Sequence, residues 1–222
     1  MKAIAVDIDG TITDENRKIC VNAITALRKA EESGYPVILV TGNILCAAKM
    51  LAIMMGTSGG IVAENGGVIQ TREKNQIIGN IEKCKPAYEY LKSKQDVEKV
   101  EFSDLRVSEI AIRRTLDVNI VKETVKDFDV EVYDTQFALH LTDPKVNKGK
   151  SLEMVAKDMG ISLKDIMAIG DSENDLEFLE VVGFKVAVAN ADKELKENTD
   201  YVTQKSYGEG TAEAIEKFIL NG

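Results

Sequence analysis

A single histidine, His140, serves the whole chain, and cysteine is almost as scarce, with Cys20, Cys46 and Cys84. One histidine excludes any metal site built on two imidazoles and argues against a Ser-His-Asp triad. The cysteines lie far apart and include no Cys-x-x-Cys pair, and their number is odd. Reduced thiols in a cytoplasmic protein are therefore expected. No apolar run approaches the roughly 20 residues of a spanning helix, so no membrane partner is expected. The first apolar run is broken by Asp7, which argues against a signal peptide. Cationic runs are missing too: none exceeds two residues, as at Arg113-Arg114, in a chain of net charge −9. That balance argues against a nucleic-acid backbone as partner. Internal repeats and low-complexity tails are absent.

What is present is an ordinary globular composition, 44% hydrophobic and 29% charged over 222 residues. That length suits one large domain or a domain carrying an insert. The first part alternates buried strands with helices. Strands are expected at 2–8, 37–40 and 61–63 and helices at 16–33 and 44–55, with Met50, Met54 and Met55 filling the core. Glu64-Asn65-Gly66-Gly67 reads as a tight turn into Val68-Ile69. After about residue 80 the character changes. A polar helix at 86–96 precedes half-buried strands at 107–113, 130–133 and 137–141, with a helix at 119–128. From Lys148 the first rhythm returns: a helix closed by Gly160, a strand at 166–169, and helical and strand segments alternating to residue 220. The expected fold class is α/β, a Rossmann-like parallel sheet core covered by helices on both faces. It would be formed by 1–84 and 146–222, with a small α+β module inserted at 85–145.

Val6-Asp7-Ile8-Asp9-Gly10-Thr11-Ile12-Thr13 is the most informative stretch. Two carboxylates, Asp7 and Asp9, end the first strand. Thr41 and Gly42 end the second. Asp171 follows the strand at 166–169, with Asn174 and Asp175 just beyond, and Lys148 opens the helix that returns from the insert. In a parallel sheet these strand ends gather at one crevice. The carboxylates of Asp7, Asp9, Asp171 and Asp175 repel one another unless a cation joins them. With oxygen ligands alone, that cation is a hard ion such as Mg²⁺ rather than zinc. A carboxylate can attack phosphorus to form an acyl phosphate. A second carboxyl two residues on can protonate the leaving alkoxide and then take a proton from water. Thr41 and Lys148 can serve the phosphate oxygens.

Together these motifs resemble those of the haloacid dehalogenase-like phosphatases, and the resemblance spans the chain. Asp-x-Asp-Gly-Thr-x-Thr stands at 7–13 and Gly-Asp-x-x-Asn-Asp at 170–175, with Thr41-Gly42-Asn43 and Asn147-Lys148-Gly149 between. Glu64-Asn65-Gly66-Gly67 is typical of the Cof-type branch, whose α/β cap matches the insert. The resemblance implies that Asp7 is nucleophile and metal ligand. It implies that Asp9 is the general acid/base and binds metal through its backbone carbonyl. Thr41, Gly42 and Lys148 would bind the phosphate, and Asp171 and Asp175 would hold Mg²⁺ with Asn174 in support. Asn43 departs from the Arg that many relatives carry. The small insert looks most like that of the archaeal-type phosphoglycolate phosphatases and sucrose-phosphatase-like hydrolases.

The implied activity is Mg²⁺-dependent hydrolysis of a small phosphorylated metabolite, 2-phosphoglycolate first and sugar phosphates next. A phosphomutase using the same aspartyl phosphate is one alternative. A non-enzymatic metabolite sensor is another, and it predicts loss of a catalytic residue. An exposed apolar cap edge would support a homodimer. Outside the motifs, His140 is expected as a solvated or partly buried strand residue rather than a substrate contact. Arg113 and Arg114, on opposite faces of a strand, are expected as surface charges, the alternative being that one reaches a substrate carboxylate. Glu64 and Asn65 are expected as turn residues. Taken alone, Asp171 and Asp175 would read as a helix cap and a solvated face.

Overall fold

Four apolar residues with no exposed surface, Ala3–Val6, form β1 at the centre of the molecule. A continuous apolar run is what a strand covered on both faces requires. The computed structural model describes every residue except Glu73, Gln136 and Gly222. Gly222, the last residue of the expected core, thus lies outside the described residues.

After β1 come α1 (Val21–Glu32), β2 (Val37–Val40), α2 (Leu45–Met55), β3 (Ile61–Ala63), β4 (Val68–Gln70) and β5 (Asn75–Ile77). Next are α3 (Ile81–Lys94), β6 (Ile110–Arg113), α4 (Val118–Thr124), β7 (Glu131–Asp134) and β8 (Ala138–Thr142). The last part holds α5 (Lys148–Asp158), β9 (Ile166–Gly170), α6 (Leu176–Leu179), β10 (Phe184–Ala187), α7 (Lys193–Glu197), β11 (Tyr201–Val202) and α8 (Tyr207–Ile215). An eight-stranded sheet runs β11-β10-β9-β1-β2-β3-β4-β5. It is parallel from β11 to β3 and antiparallel at β4 and β5. Its helices flank it, giving the α/β class. From β1 the chain steps one way to β2 and β3, and later the other way from β9 to β10 and β11. The order reverses beside β1, so a crevice opens at the carboxyl ends of β1, β2 and β9.

The segment between β5 and α5 builds its own three-stranded antiparallel sheet, β6-β8-β7. Leu139 and Leu141 on β8 pack with Ile112, Val132 and the helix residues Cys84, Leu91 and Val121 in a second apolar cluster. His140 alternates to the opposite face, in register with Ala111 on β6 and Tyr133 on β7. That face looks toward the main sheet, because the Tyr133 hydroxyl donates to Glu177 Oε1 on α6 at 2.7 Å. Among the described residues, no helix is long and apolar enough to cross a membrane.

Several boundaries differ from the sequence reading. α1 starts only at Val21, because the Asp14 carboxylate first folds 14–18 into a turn, accepting from the Asn16 and Lys18 backbone N–H groups at 2.9 Å each. α3 starts at Ile81 rather than 86; Asn80 caps it by accepting from Glu82 N–H at 3.0 Å, and Pro86 sits inside the helix. The methionine expectation needs correction. Met55 is buried, but Met50 and Met54 are 55% and 68% exposed. They share a face at i,i+4 spacing, while Ala48, Ala52 and Met55 turn to the core.

The turn at 64–66 concentrates backbone strain in three successive residues. Glu64, Asn65 and Gly66 all have positive φ, 49°, 52° and 96°, where only glycine is at ease. The Gly66 backbone presses on the residue before α5: a Cβ there would lie 2.3 Å from the Asn147 carbonyl oxygen. Ser151 on α5 donates to the Gly66 carbonyl at 2.6 Å. Gly66→Ala is therefore expected to cost more than about 1 kcal/mol of stability, read from urea denaturation.

Candidate active site

The first motif folds around Asp171. Gly10 takes φ +84°, and a Cβ on it would lie 2.3 Å from Asp171 Oδ2, so only glycine lets the two loops meet. Thr11 Oγ1 donates to Asp171 Oδ1 at 2.8 Å. Thr13 Oγ1 accepts from Gly10 N–H at 2.9 Å and holds the turn. The motif's glycine and threonines thus position two acidic loops against each other.

At the crevice floor, Asp7, Asp171 and Asp175 are buried with carboxylate oxygens within 4.8 Å of one another. The Lys148 ammonium is buried among them, donating to Asp7 Oδ1 at 3.1 Å and to Asp175 Oδ1 at 2.6 Å. Asn147 supports it as N-cap of α5, accepting from Lys150 N–H at 2.8 Å. Asp175 also caps its own turn, its Oδ2 accepting from the Asp171 and Ser172 N–H groups at 3.0 and 3.1 Å. The helix-cap role thus coexists with membership of the acidic cluster.

Burial pushes the Asp7 carboxyl well above the usual range; Asp175, Asp171 and Asp9 add repulsion, against the pull of Lys148. Burial and then Asp175 push Asp171 up to about 8, with Thr11 and Lys148 opposing. Burial alone would lower Lys148, but Asp175 and Asp7 outweigh it and hold the ammonium charged. Once all three carboxyls ionise, one buried cation facing them leaves negative charge uncompensated. An all-oxygen set with that excess fits a hard divalent ion.

Asp9 is held differently. Asn43 Nδ2 donates to its Oδ2 at 2.6 Å, and Arg17 Nε donates to its Oδ1 at 2.8 Å. Arg17 Nη2 reaches Asn43 Oδ1 at 3.1 Å, closing a triangle. Thr41 is fully buried, and its Oγ1 accepts from the Asn43 N–H and Nδ2 at 3.0 and 3.1 Å. Asn43 is therefore a positioning residue for Asp9, a use the sequence did not suggest.

A cavity of about 540 Å³ stands above this floor. Asp7, Asp9, Gly42, Lys148 and Asn174 line it, while Thr41, Asp171 and Asp175 lie behind its wall. Its other side carries Arg106 and His140. His140 is 2% exposed, which corrects the expectation of a solvated or partly buried residue. Glu109 is the reason: its Oε1 takes the His140 Nδ1 contact at 2.8 Å and pairs with Arg106 Nη1, and its Oε2 accepts from Asn65 at 2.9 Å. Burial opposes the Glu109 charge, but His140 and Arg106 prevail and hold the carboxyl below its usual range. Glu64 is more than a turn residue. Its carboxylate accepts from Val107 N–H, Ser108 N–H and Ser108 Oγ at 3.1, 3.0 and 2.7 Å. Arg113 and Arg114 pair with Glu98 and Asp134, as expected of surface charges, but Arg113 also lines this cavity.

The Asp171 shift sets a pH dependence. Its carboxyl is protonated in the metal-free fold and ionised in the unfolded chain between about pH 4 and 8, so folding takes up a proton there. That stabilisation is complete below about pH 4 and is lost as pH rises through about 8. The stability of the metal-free protein relative to its Asp171→Asn variant should fall from pH 5 to pH 8 in calorimetric scans. Added Mg²⁺ should raise the melting temperature most at the alkaline end, where its ligands are ionised.

Known proteins resemble this chain along nearly its whole length. A family model described as haloacid dehalogenase-like hydrolase matches residues 4–107 and 89–215. The phosphoglycolate phosphatase of Methanothermobacter thermautotrophicus is 59% identical over 219 residues, covering 99% of each chain. That of Archaeoglobus fulgidus is 44% identical, covering 97% of this chain and 96% of its own. A crystal structure of Thermoplasma acidophilum 0175 superposes with TM-score 0.91 at 24% identity, covering 98% of each chain. With four motifs meeting at one crevice and a family match along nearly the whole sequence, the chain belongs to the haloacid dehalogenase-like hydrolases.

Proposed function

We propose that this crevice hydrolyses 2-phosphoglycolate to glycolate and phosphate, through an aspartyl phosphate on Asp7 and with Mg²⁺ as cofactor. The observation that carries the reading is Asp7 on the cavity floor, touching the buried ammonium of Lys148 and flanked by two further carboxylates. The name phosphoglycolate phosphatase, borne by full-length relatives, supports the choice of substrate.

In the first half-reaction an Asp7 oxygen attacks phosphorus and the phosphorus–ester oxygen bond breaks. The departing glycolate oxygen takes the proton of the Asp9 carboxyl, which Arg17 and Asn43 hold in place. In the second half, water gives a proton back to Asp9 while its oxygen attacks the same phosphorus. The bond to Asp7 breaks, phosphate leaves and both carboxyls return to their starting states. Lys148 and Thr41 serve the phosphate oxygens, Lys148 supplying charge. The Gly42 backbone lines the phosphate pocket, and Asn174 supports it from the opposite loop. Asp7, Asp171, Asp175 and the Asp9 backbone carbonyl would hold Mg²⁺, which offsets phosphate charge and favours ionised Asp7.

Residues 85–145, entered through α3 from Ile81, act in this reading as the cap that covers the core of 1–84 and 146–222. A cap over the crevice excludes bulk water during transfer. Cytoplasmic residence agrees with three free cysteines.

Phosphate release from 2-phosphoglycolate should require Mg²⁺ and stop with chelator. Asp7→Asn should lower kcat by more than about 10³-fold, and Asp9→Asn by about 10²–10⁴-fold, both with native circular dichroism. Full turnover by Asp7→Asn would remove the nucleophile assignment.

A further inference from the structure

Arg106 is an arginine with three of its five N–H donors unspent among the described residues. Its side chain is 8% exposed. Both hydrogen bonds of the guanidinium leave from Nη1, one to the Gly42 carbonyl at 2.8 Å and one to Glu109 Oε1. Nε is buried and has no partner among the described residues. A guanidinium carries five N–H donors in a rigid plane, and the Nε/Nη2 edge offers two of them in parallel. That fork matches the two oxygens of a carboxylate. A buried donor without a partner is costly, and native interiors seldom keep one without a use.

The surroundings fix this edge in place. Glu109 cannot fill it, because its carboxylate is shared among Arg106, His140 and Asn65. The Gly42 contact ties the guanidinium to the loop that follows Thr41, on the wall that also holds Asp7 and Lys148. The neighbouring arginines are committed elsewhere. Arg17 spends Nε on Asp9 and Nη2 on Asn43; Arg113 also lines the cavity, but its side chain is 61% exposed and pairs with Glu98.

We propose that the Nε/Nη2 edge of Arg106, braced by Glu109, receives the carboxylate of a small phosphorylated acid whose phosphate lies at Asp7. The assignment rests on the 2-phosphoglycolate reading and adds the residue that selects that acid. In such a substrate only a methylene and the ester oxygen separate the carboxyl carbon from phosphorus. Arg106 lines the same cavity as Asp7 and Lys148, so one small acid can meet all three. Arg106 thus discriminates substrates and takes no part in bond breaking.

The test compares 2-phosphoglycolate with ethyl phosphate, in which a methyl group replaces the carboxylate. Full-length wild type, Arg106→Gln and Arg106→Lys are assayed with Mg²⁺, and the quantity read is the ratio of kcat/KM for the two esters. Wild type should favour 2-phosphoglycolate by at least about 100-fold, as a site built to pair a polar group rejects an analogue lacking it. In Arg106→Gln the ratio should fall at least about 30-fold, chiefly through KM for 2-phosphoglycolate. Arg106→Lys keeps charge without the fork and should fall about tenfold; it carries the test alone if the glutamine variant does not fold. A loss shared equally by both esters, or an unchanged ratio, would make Arg106 a purely structural contact and overturn the assignment. A wild type with no preference for 2-phosphoglycolate would overturn the substrate reading itself, before any variant is made.

Discussion

The buried ammonium of Lys148 is the contact on which the rest depends. It joins Asp7, which follows β1, to Asp175, which follows β9, and so ties the two central loops of the sheet. Buried ion pairs are poor instruments of stability, since desolvation offsets most of their attraction. Three carboxylates around one ammonium are worse still. Such an arrangement persists because other parts of the molecule over-determine it. Gly66 abuts the carbonyl of Asn147, Asn147 caps α5, and α5 presents Lys148. The left-handed residues at 64–66 are the local cost of that placement.

The same turn organises the opposite wall. Glu64 takes the backbone of Val107 and Ser108, and Asn65 reaches Glu109. Two acidic residues thereby act as internal anchors rather than surface charges. Glu109 fixes one arginine and the lone histidine on a wall that faces the acidic floor. A chain of net charge −9 therefore carries local positive charge where its cavity opens: arginine and lysine side chains line it beside the acidic floor.

How much of this could be read from sequence follows from where the information resides. β2 and β3 match their expected limits because each is an apolar run closed by turn-forming residues. The floor was legible because Gly10, Thr11 and the acidic residues occur in short, ordered motifs whose spacing is local. The opposite wall was not. Arg106 and Glu109 come from one loop and His140 from a separate strand, with no motif linking them. Alternation correctly set His140 opposite Leu139 and Leu141, but what covers that face depends on a turn far away at 64–66. Met50 and Met54 show the converse limit: composition suggested core, and helical phase put them outside. Arg17 acts on Asp9 only because its own backbone turns to φ +61° in an exposed loop.

The position of β1 has a consequence for how the chain reaches this state. β1 is made first, and β2 joins one of its edges soon after. Its other edge pairs with β9, Val6 meeting Ile169, which emerges only after the entire second sheet. Until then a fully apolar strand carries an open edge, the kind of surface that invites pairing with a neighbouring chain. Asp7 and Asp9 stand at the end of that strand throughout this interval. These charges act as gatekeepers during synthesis, discouraging register with a second copy before β9 arrives.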